Sequence, residues 1–169
     1  TPDNDPMDYG GHGTNCAGCS TASTDNGIGI AGAAWGCKVM GVRVGFLEDG
    51  ETQGVVRMDF ASSGMIYAAQ TGAKIINCSW GSSSYLSYAI QYCTLTKDAI
   101  VVNAAGNDDW EASEYMGTHP SVISVAATDQ NDAKASFSNY GSWVEVSAPG
   151  VAIYTTAWNQ ATGSHGYSS

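Results

Sequence analysis

The sequence predicts an α/β fold built on a mostly parallel sheet with helices on both faces. Three observations predict it. Short β-branched runs recur along the chain, stretches with helical spacing separate them, and the runs are continuously apolar rather than alternating. The strand-like runs are 38–44 (KVMGVRV), 74–78 (KIINC), 99–103 (AIVVN), 122–127 (VISVAA) and 143–146 (WVEV). In 54–72, Val55, Val56, Phe60, Ile66 and Ala69 leave an apolar stripe, and Gly72 offers a C-terminal stop. In 84–98, Leu86, Ala89, Ile90, Cys93 and Leu95 do the same. A further helix of small residues (Cys16, Ala17, Gly18, Cys19) is expected directly after His12. In open sheets of this kind, ligands sit beyond the carboxyl ends of the strands. No repeat or low-complexity linker divides the chain, so residues 1–169 read as one unit.

Composition narrows the function classes. Six basic against sixteen acidic residues give a net charge of −10, which excludes a sequence-independent grip on nucleic-acid phosphates or on an anionic membrane. Only 13% of residues are charged and 43% are hydrophobic, the balance of a packed domain rather than a disordered acidic tail. No apolar stretch is long enough to cross a bilayer. Residues 1–8 are polar and do not read as a signal peptide, which is expected of a processed chain or the interior of a larger protein.

The cysteines are Cys16, Cys19, Cys37, Cys78 and Cys93, an odd number that leaves at least one thiol outside any intrachain disulfide. Their small or apolar neighbours point to buried packing. One disulfide is an alternative, and a zinc corner of His12, Cys16 and Cys19 a further one, although a second ligand pair at finger-like spacing is missing. Asn77-Cys78-Ser79 fits a glycosylation sequon, but within an apolar run it is expected to be inaccessible.

Three motifs carry chemistry. In Gly10-Gly11-His12-Gly13-Thr14 a histidine sits in the first turn of a helix, where glycines allow close approach of another backbone. Histidine is the proton carrier suited to neutral pH. Ala104-Ala105-Gly106-Asn107 follows a strand, and its asparagine amide is placed to meet a developing negative charge. The other reading of Asn107 is a turn cap. Ser79-Trp80-Gly81 follows the neighbouring strand and offers backbone groups to an extended ligand.

GHGTNCAG, DNGIGIAG, INCSWG, AAGN, HPSVISVAATD and FSNYGSWVEVSAPG occur in one order. Together they resemble the subtilisin-like serine proteases, on the thermitase and proteinase K side of that family, over essentially all 169 residues. The resemblance implies a three-layer subtilisin-like fold and a secreted, extracellular serine endopeptidase acting on peptide or protein substrates. It implies that His12 is the triad base and Asn107 the oxyanion donor. Ser79, Trp80 and Gly81 would pair with substrate backbone, and Ala104, Ala105 and Gly106 would form the facing wall of the specificity pocket. Asp108 would lie at the rim of that pocket and Glu114 at its floor, where a carboxylate favours a Lys or Arg side chain. Cys16 matches the cysteine behind the histidine in the thiol-containing branch.

Two departures stand out. Asn15 replaces the second histidine of the usual G-H-G-T-H. More consequentially, no D-[ST]-G segment precedes His12 and no G-T-S-M-A motif is present, so residues 1–169 read as the central part of the peptidase domain. The expectation is a polypeptide inactive alone, with companion chains supplying the acid and nucleophile, and with partly bare apolar faces on the helices at 54–72 and 84–98. The alternative is a non-catalytic peptide-binding module on the same fold. The resemblance also implies calcium. One candidate loop holds Asp3, Asp5 and Asp8. The other uses the Asn26 side chain and the carbonyls of Thr24, Ile28 and Ile30.

Overall fold

A computed structural model of the chain describes residues 7–47, 54–159 and 162–169. Two compact units are present: Thr1–Val55 with Ile153–Ser169, and Val56–Ala152.

In the second unit, β3 (Ile75–Cys78), β4 (Ile100–Ala104), β5 (Val122–Thr128) and β6 (Val146–Pro149) form one sheet in that order, every pair parallel. These are four of the β-branched runs expected from sequence, the last moved three residues on. Helix α2 (Met58–Gln70) precedes β3. Its buried stripe is Ala61, Met65, Ala68 and Ala69. Of the residues expected to form it only Ala69 belongs, since Val55 and Val56 fall in a strand before the helix, Phe60 is exposed and Ile66 is half-buried. Gly72 adopts φ +103° and Ala73 N donates to Ala68 O at 3.0 Å, the left-handed stop expected there. The 84–98 segment is not one regular helix. It runs as a 3₁₀ turn (Ser84–Leu86), α3 (Ser87–Gln91) and a π turn (Tyr92–Thr96), ending at Asp98 with φ +52°. Leu86, Ala89, Ile90 and Cys93 are nevertheless buried, whereas Leu95, the last residue of the expected stripe, is turned outward in the π turn.

Burial in the sheet alternates. Ile76, Cys78, Val101, Asn103, Val122, Ser124 and Ala126 face the interior. Their neighbours on the other face stay open: Ile75 is 66% exposed, Ile100 50%, Val146 47% and Ile123 38%. The continuous apolar runs are thus two-faced strands with one apolar face uncovered. Bare apolar surface lies on the helical segments too, as expected, with Phe60 51% and Leu95 76% exposed; the open face of the sheet adds to it.

In the first unit, α1 (His12–Thr21) packs on β7 (Thr155–Asn159), which pairs antiparallel with β8 (Ser164–Ser168). β1 (Gly45–Leu47) pairs with β2 (Gly54–Val56). The strand expected at 38–44 is not a ladder among the described residues. The paired residues are Gly45–Leu47, immediately past that run, where β2 supplies the partner that a lone β-branched run lacks. No helix among the described residues is long and apolar enough to cross a membrane.

Candidate active site

His12 is the first residue of α1, as its glycine-flanked setting suggested. The entry turn is made by Gly11 at φ +81°, a conformation that a side chain would strain. The helix end is held by Asp8. Its Oδ1 accepts from Gly11 N at 2.9 Å and its Oδ2 from Thr14 N at 2.6 Å, so one carboxylate satisfies two of the orphan amides of the first turn. Further along, Thr155 Oγ1 donates to Asn15 O at 2.8 Å and Thr156 Oγ1 to Thr14 O at 2.7 Å, tying the same turns to β7. Gly18 sits where a Cβ would run into both threonine hydroxyls, which explains a glycine in mid-helix.

The imidazole is exposed, with Nδ1 3.8 Å from Cys16 Sγ one helical turn on. Hydrogen bonding to that thiol raises the His12 pKa above the ordinary 6.5. Partial burial opposes the shift, and the charge of Asp8 adds to it.

The second unit carries the other candidates. Cys78 of β3 lies opposite Asn103 of β4, so Ser79, Trp80 and Gly81 leave the sheet beside Ala104, Ala105 and Gly106, at the carboxyl ends of neighbouring parallel strands. Asn103 fastens the first segment. It is 3% exposed, and its Nδ2 donates to Cys78 O at 2.7 Å and to Trp80 O at 3.3 Å. Asn107 follows the second segment on an exposed loop, with Asp108 next to it. Glu114 reaches back across the chain, and its carboxylate accepts from Ser82 N. A Cβ on Gly81 would lie 2.8 Å from both Glu114 oxygens, so the carboxylate occupies the space beside that glycine.

The candidate cation residues divide differently. Asp3 and Asp5 lie outside the described residues. Asp8 spends both carboxylate oxygens on helix amides. In the second loop Asn26 Oδ1 accepts from Ile28 N at 3.0 Å, and Asp25, Gly27 and Gly29 all take positive φ. Thr24 and Ile30 are half-buried and Ile28 is exposed. Among the described residues no three His, Cys, Asp or Glu side chains gather to hold a metal, so the zinc corner of His12, Cys16 and Cys19 does not form. The cysteines also depart from uniform burial. Cys78 and Cys93 are buried, and burial pushes their thiols up to about 12 and about 11, the charge of Cys93 adding to the shift of Cys78. Cys19 and Cys37 are exposed thiols. Asn77 is exposed too, on the open face of the sheet, not inaccessible as expected.

Sequence reasoning missed three polar anchors: Asp8 as a helix cap, Asn103 and Asn139. A carboxylate four residues before the helix was a readable cue for the first. The two asparagines meet partners more than twenty residues away and left no local sign.

The model of the subtilase family matches residues 1–169. Thermitase from Thermoactinomyces vulgaris is 43% identical over 157 residues, covering 91% of this chain and 54% of that protein. An extracellular protease from Xanthomonas campestris is 39% identical over 172 residues, covering 94% of this chain and 29% of that protein. Among solved structures, a protease from Pseudoalteromonas arctica superposes with a TM-score of 0.79 at 32% identity, covering 93% of this chain and 52% of that one. The chain thus spans about half or less of the relatives it matches. On the match over its whole length, this chain belongs to the subtilase family.

Proposed function

We propose that this chain supplies the histidine base and the asparagine oxyanion donor of a secreted serine endopeptidase. The observation that carries the reading is family membership running through every motif from the His12 turn to the residues after β6. In the reaction, Nε2 of His12 takes the proton of a serine hydroxyl as that oxygen attacks the scissile carbonyl carbon. The carbonyl oxygen becomes an oxyanion, and the Asn107 amide donates to it. His12 then passes the proton to the leaving amine, and water repeats the sequence on the acyl-enzyme. An exposed imidazole on a doubly capped helix end suits that role. A raised pKa makes the neutral imidazole a stronger proton acceptor and moves upward the pH above which that neutral form predominates.

Residues 1–169 contain neither D-[ST]-G ahead of His12 nor G-T-S-M-A, so this polypeptide alone is expected not to hydrolyse peptides. The acid and the nucleophile come from segments outside these residues. The uncovered apolar face of Ile75, Ile100, Ile123 and Val146 supports packing of such segments there. Secretion is supported by the extracellular relative.

The substrate is read as an extended peptide lying along Ser79, Trp80 and Gly81, its side chain entering between that segment and Ala104, Ala105 and Gly106. Glu114, with its carboxylate beside Gly81, favours Lys or Arg in that position, and Asp108 lies at the rim. Calcium is read at the 24–30 loop, through the Asn26 oxygen and the carbonyls of Thr24, Ile28 and Ile30, oxygen donors that suit a hard cation.

The test is a chimera in which this segment replaces its counterpart in thermitase, which contributes the flanking segments. Cleavage of chromogenic peptides, blocked by a serine-directed phosphonylating reagent, is the expected result. Cleavage after Arg should exceed cleavage after Phe, and Glu114→Ala should reverse the order. A folded chimera that binds peptide without cleaving it would leave the peptide-binding module as the correct reading.

A further inference from the structure

Asn107 is exposed, so burial does not fix where its amide points. An oxyanion donor works only when held in place before the charge develops. The residues on either side of it are held, and by one partner. Gly106 O accepts from Asn139 N at 3.0 Å, and Asn139 Oδ1 accepts from Asp108 N at 2.8 Å and from Trp110 N at 3.2 Å. Asn139 is 2% exposed. Flanking bonds lace the same two strips of chain together: Asp109 N donates to Phe137 O and Tyr140 N to Trp110 O, both at 2.9 Å. Asn139 is itself anchored through Ser138, 1% exposed, whose Oγ accepts from Ala127 N at 2.9 Å at the end of the sheet. Gly106 completes the arrangement. It takes φ +109°, and a Cβ there would collide with Asn139 Nδ2.

From this geometry we propose that Asn139 is the positioning residue of the oxyanion site, clamping the backbone before and after Asn107 so that the Asn107 amide is presented in one orientation. One side-chain oxygen serves two loop amides, so its removal frees both N–H groups at once and leaves the loop without its link to Asn139. The catalytic meaning of the clamp rests on the protease reading above, while the clamp itself does not.

The test therefore has two arms. In the full chain, amide hydrogen exchange is followed by NMR in the wild type, Asn139→Leu and Asn139→Asp. The leucine variant is expected to speed exchange of the Asp108 and Trp110 amides about tenfold or more, while Val101 and Val122 in the central strands stay unchanged. The aspartate variant keeps an acceptor and should restore protection. Unchanged exchange at Asp108 and Trp110 would overturn the clamp. So would a loss of protection that spreads equally through the strands. In the thermitase chimera, Asn139→Leu should lower kcat about 10- to 100-fold with KM little moved, and should cost less than about twofold when Asn107→Leu is already present. Equal losses in both backgrounds would overturn the positioning role. An inactive parent chimera would instead strike the protease reading and leave the exchange arm to decide the clamp.

Discussion

Replacing Asp8 with alanine should loosen the helix that carries His12 by an amount the structure allows to be worked out. The carboxylate accepts from Gly11 N at 2.9 Å and Thr14 N at 2.6 Å, and these amides have no intrahelical partner to turn to. Loss of a helix-capping acceptor costs about 0.5–2 kcal/mol. Loss of a negative charge beside a helix N-terminus costs about 0.3–1 kcal/mol more. The sum is about 1–3 kcal/mol, or a fall of about 1 M in the urea midpoint for a domain of this size. Asp8→Asn retains one acceptor without the charge and should lose about half as much. Urea unfolding followed by circular dichroism, with calcium and with chelator, is the assay. A cap predicts the same loss in both, whereas a calcium ligand predicts a loss only when calcium is present. An Asp8→Ala chain within about 0.3 kcal/mol of wild type, or one destabilised only in calcium, would refute the reasoning.

Three further outcomes are expected. Gly18→Ala, which in an exposed helix interior would stabilise, should here destabilise by about 1–3 kcal/mol, read as a lower Tm, because the added methyl meets the Thr155 and Thr156 hydroxyls. In pulse labelling at pH 8 followed by mass spectrometry, Cys19 and Cys37 should react at the rate of open thiols. Cys78 and Cys93, buried and shifted to about 12 and about 11, should react only on unfolding. His12 should titrate above 6.5 by NMR, and Cys16→Ala should bring it down. Because the folded value is raised, the stability that protonated His12 contributes is fully present below pH 6.5 and is lost as pH rises through the folded pKa.

What the sequence made legible was governed by local pattern. Ile75, Ile76, Val101, Val102 and Val122 announce strands because β-branched residues fit a pleated surface, and Gly72 announces a stop because few residues tolerate positive φ. His12 at a helix start was readable from its glycines. The parts that stayed hidden depend on partners distant in the chain. Residues 38–44 have strand composition, but a ladder needs a neighbour, and composition does not say where it is. Asn139 meets Asp108 and Asn103 meets Cys78 only after the sheet has formed. Cys19 and Cys37 have the neighbours of buried cysteines, yet they fall on the outer side of their segments, a question of orientation that composition leaves open. The continuous apolar runs carried information of another kind. They record two apolar faces, of which one is packed here.

The most direct test of the central claim, that this chain brings the base and the oxyanion donor of a subtilase site, is kcat for the thermitase chimera with His12→Ala and with Asn107→Leu. The account predicts a loss of about 10⁶ for the histidine and about 10²–10³ for the asparagine, the magnitudes known for subtilisin's own residues, with KM nearly constant. A chimera that keeps its turnover when either side chain is removed would contradict it.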